Sequence, residues 1–481
     1  MLARWKRRLN SAMHRALTII RGFFHGPGFR GNAARTFRYH LMYGIFDGTA
    51  GGILLNAPLV AIKTFDAANW HLPLRELYAG LGMMLTLYLA SQMARRSKMP
   101  FVFFPGMLAA VSAMALALVT GSAFWFLTLL GVGAMFEIFT RPAIAAIVRT
   151  NYPVEKRCCA VGQIRKWSSL AFLTSSVVSA YVLHRATGGG LDPAATAPAS
   201  TYRNFGLAPV PTAQLLMLTG GLLSLVAFLC FRQIRVDEAP REECASPTLG
   251  FIGSFRALWD VISHRNGRFR RYLLGCFVDG FFQMLYFPLI WVFLSRDLGY
   301  GYVRCVALMH VVPAFAAFVA TGALGRLFDR INPWIAWAGV RFAWGADALL
   351  LAATPAVASV FPPALFFLPV VARVLRGSVQ GGWWILWWQV GVTYFAPPGE
   401  ETSRYAGLMV FLNGTTRLLA SAVGMALVAA SVSPRLLLVV GGVGVILSGV
   451  YSLWQAGWEL QQRGPQTIVD FEYQFETQRE T

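Results

Sequence analysis

Long apolar runs constrain the fold of this chain more than any other feature. Each run is about twenty residues long, enough to cross roughly 30 Å of hydrocarbon as a helix. A backbone in lipid must satisfy its own hydrogen bonds, and a barrel would show short alternating segments instead. We therefore predict an all-α integral membrane protein with twelve transmembrane helices. The runs lie at about 40–63, 72–94, 99–120, 123–148, 161–184, 210–232, 272–296, 302–325, 334–354, 363–394, 404–430 and 434–456.

Composition and charge agree with a membrane protein. Of the 481 residues, 56% are hydrophobic and only 13% are charged, too few to cover a soluble protein of this size. The net charge of +20 could indicate a nucleic-acid partner, but its distribution argues against one. With a cytoplasmic N-terminus, 28 of the 42 Lys and Arg residues fall in inner segments and seven in outer segments. This bias predicts cytoplasmic N- and C-termini and contact with anionic lipid.

The chain contains a repeat of itself. Residues 37–48 align without gaps on residues 269–280, with Phe, Arg, Leu and an Asp-Gly pair in register 232 positions apart. A second match relates Pro100 to Pro333 at an offset of 233. Because six crossings return the chain to the same side, both halves run in the same direction. The repeat therefore predicts two pseudo-symmetric six-helix bundles, a construction found in many secondary transporters.

The same patterns predict the domain boundaries. Residues 1–37 are basic, with apolar residues at helical spacing, and we predict an amphipathic helix on the inner membrane surface. An organellar transit peptide stays open as an alternative for this segment. The two bundles are expected at 38–232 and 272–456, joined by a cytoplasmic linker at 233–271. A polar cytoplasmic tail, 457–481, is expected to be loosely ordered from Glu459 onward.

Two loop motifs carry a family resemblance. Gly325, Asp329 and Arg330 form a Gly-x-x-x-Asp-Arg pattern that resembles a loop signature of the major facilitator superfamily. The first-half counterpart ends at Arg95 and Arg96 but has Ala94 where the family has Asp, which puts the latch of that half in doubt. Arg157 and Gly162, after Pro153, resemble the Pro-x-x-x-Arg-x-x-x-x-Gly motif before helix 5 of such transporters.

The resemblance covers about 38–456 and implies the twelve-helix superfamily fold, with a central site reached alternately from either side. Helices 1 and 7 line the central cavity in that family. No Gly-x-x-x-x-Gly-Lys-Ser/Thr motif occurs, which argues against an ATP-driven pump. The six cysteines show no CxxC pair or metal-ligand spacing. We expect no enzymatic activity, catalytic residue, cofactor or metal.

Ionisable residues inside the apolar runs are the candidates for a substrate or ion site, because a charge at mid-bilayer costs at least about 2.5–3.5 kcal/mol. Asp47 and Asp279 lie about ten residues past an inner arginine, roughly 13–15 Å deep. They could carry protons or contact a cationic group, or they could form structural pairs with Arg or backbone. The full set of candidates is Asp47, Glu137, Arg141, Asp279, His310, Asp347, Arg373 and Arg376.

Most of the other candidates also allow two interpretations. Glu137 and Arg141, at i,i+4, form either a self-neutralising pair or a gated pair that releases Arg141 to an anion. Arg373 and Arg376 suit a carboxylate or phosphate, unless Asp279 or Asp347 pairs with them. His310 is either a satisfied polar residue or a proton relay. The tryptophans 383, 384, 387 and 388 form a lipid-facing or interfacial group, or a stacking wall.

Weaker candidates are Arg341 and Arg417, with Asn56, Gln283, Gln380 and Asn413 as added hydrogen-bonding groups. Together these features predict a monomeric, multi-pass secondary transporter of the bacterial inner membrane. We expect it to move a small anionic or zwitterionic solute with protons, and to have no nucleic-acid partner. Two alternatives stay open. The protein could be a transporter-like sensor or assembly protein that transports no solute, or it could be a lipid transporter.

Overall fold

A computed structural model describes residues 29–93, 96–187, 209–236, 253, 256, 259, 263, 267–328, 330–385, 394–395 and 402–463. Within these ranges the secondary structure is helical, and it falls into twelve long helices. These are α1 (Gly31–Leu54), α2 (Leu74–Met93), α3 (Met99–Ala115), α4 (Ala123–Asn151), α5 (Val154–Ala186), α6 (Pro209–Arg232), α7 (Gly267–Tyr286), α8 (Tyr302–Phe328), α9 (Pro333–Val360), α10 (Ala364–Ile385), α11 (Thr402–Ala429) and α12 (Pro434–Arg463).

Nine of these helices, with their short continuations, are long and apolar enough to cross a membrane by length and composition. The other three, within the described ranges, are α2, α5 and α10. All three contain charged residues, including Glu76 in α2, Arg165 in α5 and Arg373 in α10.

The two helices that open the halves break at corresponding places. After Leu54, α1 is interrupted and continues as Ala57–Lys63, with Pro58 near the start of the new piece. After Tyr286, α7 passes through a 3₁₀ turn at Phe287–Leu289, which contains Pro288, and ends in a π-helical turn at Phe293–Asp297. Proline removes a helical hydrogen bond and clashes with the preceding turn, which accounts for both breaks.

Packing repeats between the halves. In the described residues, the most extensive contacts within the first six helices are α1–α5, α1–α6, α2–α4, α3–α4 and α3–α6. The second six repeat this pattern as α7–α11, α7–α12, α8–α10, α9–α10 and α9–α12. The sequence repeat is therefore also a structural repeat, and the chain forms two pseudo-symmetric six-helix bundles.

The halves contact each other through two symmetry-related helix pairs, α2–α11 and α5–α8. We call the end of the bundle where α1 begins and α12 finishes the termini end, and the other the far end. Arg296, beyond α7, joins the halves at the far end by donating to Asp66 Oδ1 (2.8 Å) and Asn69 Oδ1 (2.6 Å). Thr64 and Tyr302 add a hydroxyl–hydroxyl contact of 3.2 Å nearby.

Several helices extend beyond the apolar runs that predict them. The first helix begins at Gly31 rather than near residue 40, the fifth at Val154, and the seventh at Gly267. Hydropathy identifies the part of a helix that crosses the hydrocarbon, whereas polar end turns continue into the interface. The expectation that the tail loosens from Glu459 is wrong. Glu459 is buried in α12 and pairs with Arg268 Nε at 2.5 Å.

Candidate functional site

The first half carries a partly exposed cluster of charge near the middle of its helices. Asp47 stands at the centre of Gly31–Lys63 and is partly exposed. On α4, Arg141 Nη2 donates to Glu137 Oε1 at 2.9 Å, and the two side chains are 61% and 44% exposed. Glu137, Arg141 and Arg165 of α5 all lie within electrostatic reach of Asp47. This cluster, Asp47, Glu137, Arg141 and Arg165, is called the first-half cluster below.

Glycines position Asp47 within this cluster. Gly44, Gly48 and Gly52 form one stripe along α1 that faces α5. A Cβ added at Gly48 would lie 2.3 Å from the backbone oxygen of Ser168. Such a contact is far below any van der Waals distance, so only glycine permits this approach of α1 to α5. Asp47, next to Gly48, is thereby held close to Arg165.

The second-half aspartate occupies a different environment. Asp279 Oδ2 lies 3.7 Å from Arg341 Nε of α9, and both side chains are 1% exposed. Arg341 Nη1 also donates to the Ser448 carbonyl of α12 at 3.2 Å and to the Ser452 hydroxyl. Asp279 is therefore buried inside the second bundle against α9 and α12.

A second buried ionic group lies beside it in the same bundle. Arg373 Nη2 of α10 donates to Asp347 Oδ2 of α9, and Arg376 Nη1 lies 3.6 Å from the same oxygen. The Arg376 guanidinium also packs 5.0 Å from the Trp344 ring centroid and 5.1 Å from that of Phe287. One carboxylate thus faces two guanidinium groups. Pairing with Asp347 is the alternative to direct binding of an anionic solute by Arg373 and Arg376.

His310 lies on the π-helical turn of α8, within electrostatic reach of Arg373 of the second buried group. Its ring makes an edge contact with Phe172 of α5 at 6.1 Å and lies 5.5 Å from the Trp291 ring. Its Nε2 is buried and makes no hydrogen bond to another described residue. His310 therefore marks where the two halves meet through α5 and α8.

Comparisons with known proteins give the fold its name. No protein-family model matches the chain, and no curated protein matches it. Among solved structures, a point mutant of the nucleoside transporter NupG matches at 12% identity, covering 89% of this chain and 99% of its own, with a TM-score of 0.62. A bacterial homologue of the human lysosomal transporter Spinster, in an inward-facing and occupied conformation, matches at 14% identity. The match covers 89% of this chain and 98% of the homologue, with a TM-score of 0.61.

The xylose transporter XylE from E. coli, in a partially occluded inward-open conformation, matches at 10% identity, covering 88% of this chain and 97% of its own, with a TM-score of 0.55. The chain therefore shares the fold of these three transporters. Nearly the whole length of each of these structures is covered, so the likeness includes both bundles. At these identities the likeness concerns the fold.

Most of the described motif residues lie at or near helix ends, and Gly162 lies within α5. Arg157 caps the end of α4, donating to the Arg149 carbonyl at 2.7 Å and the Tyr152 carbonyl at 3.2 Å. Cations at a helix C-terminus satisfy its unpaired carbonyls and oppose its dipole. Gly162 lies in α5 and is exposed, Gly325 is near the end of α8, and Arg330 follows it in a turn.

Some predicted residues fall outside the description. Asp329, Arg95, Trp387 and Trp388 lie outside the described residues, as do the side chains of Trp383 and Trp384. Most of the basic 1–37 segment does too. The roles given to these residues stay predictions.

Sequence reasoning missed two ionic contacts between the halves, the Arg296–Asp66 pair at the far end and a second one between α2 and α11. Arg417 Nη1 of α11 donates to Glu76 Oε2 of α2 at 2.6 Å, and Arg75 Nη1 donates to Glu76 Oε1 at 2.6 Å. Glu76 is 5% exposed. It was overlooked because it is near the end of its apolar run, where charge is common. Arg165 of α5 was also missed.

Proposed function

We propose that this protein is a secondary active transporter of a small anionic or zwitterionic solute, coupled to protons. The observation that carries the proposal is the first-half cluster, where two carboxylates and two guanidinium groups meet at mid-membrane and remain partly exposed. Charge at this depth is costly and is normally retained for a function. A purely structural pair would gain by being buried, as the second-half pairs are.

The chemistry of the cluster suits coupled binding. When both carboxylates are ionised, Glu137 pairs with Arg141, and the charge of Asp47 compensates that of Arg165. Protonation of either acid frees a guanidinium to accept a carboxylate or phosphate of the solute in bidentate fashion. Release of the solute on the other side lets the acid ionise again. Proton and anion binding would thus favour each other at one site, as a symport mechanism requires.

The buried group of the second half supports an anionic solute. Asp347 balances only one of Arg373 and Arg376, which leaves an excess of one positive charge among α7, α9 and α10. Of the three side chains, Arg376 is the most exposed, at 8%. An excess cation inside the second bundle raises the local potential toward the interface between the halves, which favours negative solutes there.

The fold neighbours support transport as the general activity. These neighbours are a nucleoside transporter, a homologue of a lysosomal transporter and a xylose transporter. We propose that the two bundles rock to give alternating access, the mechanism that the superfamily resemblance implies. We further propose the bounds 38–232 and 272–456 for the bundles, cytoplasmic termini, a bacterial inner-membrane location and a monomeric state, all from the charge map and the repeat.

Reconstitution into liposomes tests the proposal. Purified protein should accumulate a labelled anion from a panel of carboxylates and phosphate esters when an acid-outside pH gradient is imposed, and an uncoupler should abolish the accumulation. Arg141→Gln should reduce uptake by tenfold or more, because it removes the guanidinium released by protonation. Val319→Leu, on the exposed face of α8, is the matched control and should transport as the parent does.

A sensor or assembly protein with a transporter fold predicts the opposite outcome. It would give no gradient-driven accumulation for any solute of the panel. It would also give no counterflow, which needs only alternating access and no coupling. Absence of both from folded, correctly reconstituted protein would overturn the proposal.

A further inference from the structure

Arg75 of α2 is a partly exposed cation in a buried stretch of the chain. Its side chain is 43% exposed, whereas Leu74 and Glu76 on either side are buried. The next residues on its face of α2, at helical spacing, are Ala79 and Met83. Both are buried in a cluster to which α4 and α11 also contribute. Arg75 therefore points into the bundle and not toward lipid.

Two groups of the other half locate the Arg75 guanidinium. Arg417 of α11 shares Glu76 with it, and His310 of α8 lies within its electrostatic reach. Helices α11 and α8 belong to the two helix pairs that join the halves, and the pseudo-symmetry places these pairs on opposite sides of the axis between the bundles. A group that reaches both helices lies between the two pairs, near the centre of the molecule.

Contacts between the halves close the far end next to Arg75. The 3₁₀ turn Asn69–His71 comes just before α2 and packs against α11. Arg296 of the second half donates to Asn69 Oδ1, to Asp66 Oδ1 and to the Ala67 carbonyl at 2.9 Å. The exposed part of the Arg75 side chain therefore lies on the inner side of this closure, facing the interior of the bundle.

The charges around Glu76 do not balance. Its Oε1 accepts from Arg75 Nη1 and its Oε2 from Arg417 Nη1, so that two guanidinium groups share one carboxylate. One positive charge is left in excess. Arg417 Nε is buried and has no hydrogen-bond partner among the described residues. A guanidinium carries five N–H donors, and within the part of the chain that the structure describes Arg75 donates only to Glu76. Arg75 thus keeps donors for an oxyanion.

The packing of α2 on α4 gives the position of Arg75 relative to the first-half cluster. Gly131 of α4 lies against Tyr78, and Gly82 lies against Met135 of α4. Both contacts join residues 53 positions apart, so Arg75 is level with residue 128 of α4, thirteen residues before Arg141. At 1.5 Å per residue this is about 20 Å along the helix.

We propose that Arg75 forms a second oxyanion position in the transport path, on the far-end side of the first-half cluster. The group bound there is a carboxylate or a phosphate, which a guanidinium can hold with two parallel hydrogen bonds. Arg417 lies within electrostatic reach of both Arg75 and Arg141, and it therefore stands between the two positions. Because the two positions are far apart, a small solute occupies one at a time and passes Arg417 on its way from one to the other.

This inference rests on the proposed function for the role of Arg75 in transport, but its test measures binding and not flux. Full-length protein in nanodiscs is treated with phenylglyoxal, which reacts with accessible guanidinium groups, and modified chymotryptic peptides are quantified by mass spectrometry. We expect Arg75 to react at least about fivefold faster than the fully buried Arg341. Benzoate or phenyl phosphate should slow the reaction at Arg75 about fivefold, and neutral benzamide should not. Arg304, exposed at the start of α8, is the internal control and should react equally with and without benzoate.

Variants test the affinity of the position by thermal shift, since a ligand that binds the native state raises the unfolding temperature. All are made in an Arg141→Gln background, which removes the contribution of the first-half cluster. Benzoate should still raise the unfolding temperature of this background. Adding Arg75→Gln should increase the benzoate needed for the same rise about tenfold, the effect of one lost charge-assisted hydrogen bond. Adding Arg304→Gln, the matched control, should change nothing, and Arg75→Lys should keep part of the affinity.

Several outcomes would overturn the second position. They are an Arg75 that reacts no faster than Arg341, an Arg75 that neither anion protects, and equal protection by benzamide. Protection by only one of the two anions would support the position and identify the group it binds. If Arg75 is protected but the protein accumulates no solute under a pH gradient, the proposed function fails and the oxyanion position stands. If uptake of soluble anions is strong and Arg75 is not protected, the oxyanion position fails alone.

Discussion

The aspartates of the two repeats share a sequence motif but not an environment. Asp47 belongs to a partly exposed group in which Glu137 and Arg141 are 44% and 61% exposed. Asp279 is 1% exposed and faces Arg341, which also donates a hydrogen bond to the Ser448 carbonyl of α12. The repeated motif therefore keeps the position on the helix, and neighbouring helices decide whether the carboxylate is buried. The charged side chains of this cluster are partly exposed in the first half, whereas those of the second-half pairs are buried in the bundle.

The largest effect should come from removing the acid shared by two buried arginines. Asp347→Leu leaves Arg373 and Arg376 without a carboxylate at 1% and 8% exposure. Breaking a buried pair by removing one partner costs about 3–5 kcal/mol. We expect loss of monodisperse protein in detergent, or a strongly lowered unfolding temperature. Unfolding close to that of the parent would mean that these arginines find another counter-charge.

A double replacement tests whether the Asp279–Arg341 pair is structural. Asp279→Leu alone should destabilise by about 3–5 kcal/mol, because it leaves Arg341 buried and unpaired. Adding Arg341→Met should recover most of that loss, since apolar residues often replace a buried pair at little cost. Thermal unfolding of the two single variants and the double variant gives the coupling energy. A double variant no more stable than the single ones would contradict a structural pair.

The equivalent glycines of the repeat give a smaller, matched comparison. At Gly48 an added Cβ would lie 2.3 Å from a backbone oxygen, whereas at Gly280 the nearest atom is the Thr416 hydroxyl at 3.1 Å. The Ser168 backbone cannot move away from an added Cβ as easily as the Thr416 side chain can. Gly48→Ala should therefore cost about 1–3 kcal/mol and shift Asp47, and Gly280→Ala should cost less. Unfolding midpoints measured side by side decide the order, and the reverse order would contradict the close α1–α5 contact.

The smallest expected stability change concerns the exposed pair. Glu137→Gln removes an i,i+4 interaction between side chains that are 44% and 61% exposed, and exposed pairs contribute about 0–1 kcal/mol. We expect the unfolding temperature to stay near that of the parent while gradient-driven uptake falls. A large loss of stability from Glu137→Gln would place this pair with the structural ones and remove the contrast between the halves.

Much of the architecture could be predicted from the sequence, because hydropathy, loop charge and the repeat each report on a global property. The twelve helices and the paired bundles follow from them. The partners of each charge could not be predicted, because pairing depends on which faces of distant helices meet. Arg373 lies 26 positions from Asp347, and Glu76 lies 341 positions from Arg417. The glycine stripe at 44, 48 and 52 was visible in the sequence and would have pointed to the α1–α5 contact.

The difference between Asp47 and Asp279 is the central claim, and one paired measurement tests it most directly. Asp47→Asn and Asp279→Asn are purified together, and each preparation is assayed for its unfolding midpoint and for uptake driven by a pH gradient. We predict that Asp47→Asn unfolds near the parent's midpoint and loses at least tenfold in gradient-driven uptake, while Asp279→Asn unfolds at a clearly lower temperature. An Asp47→Asn protein that is destabilised but still coupled, beside a stable Asp279→Asn protein that is uncoupled, would contradict the account.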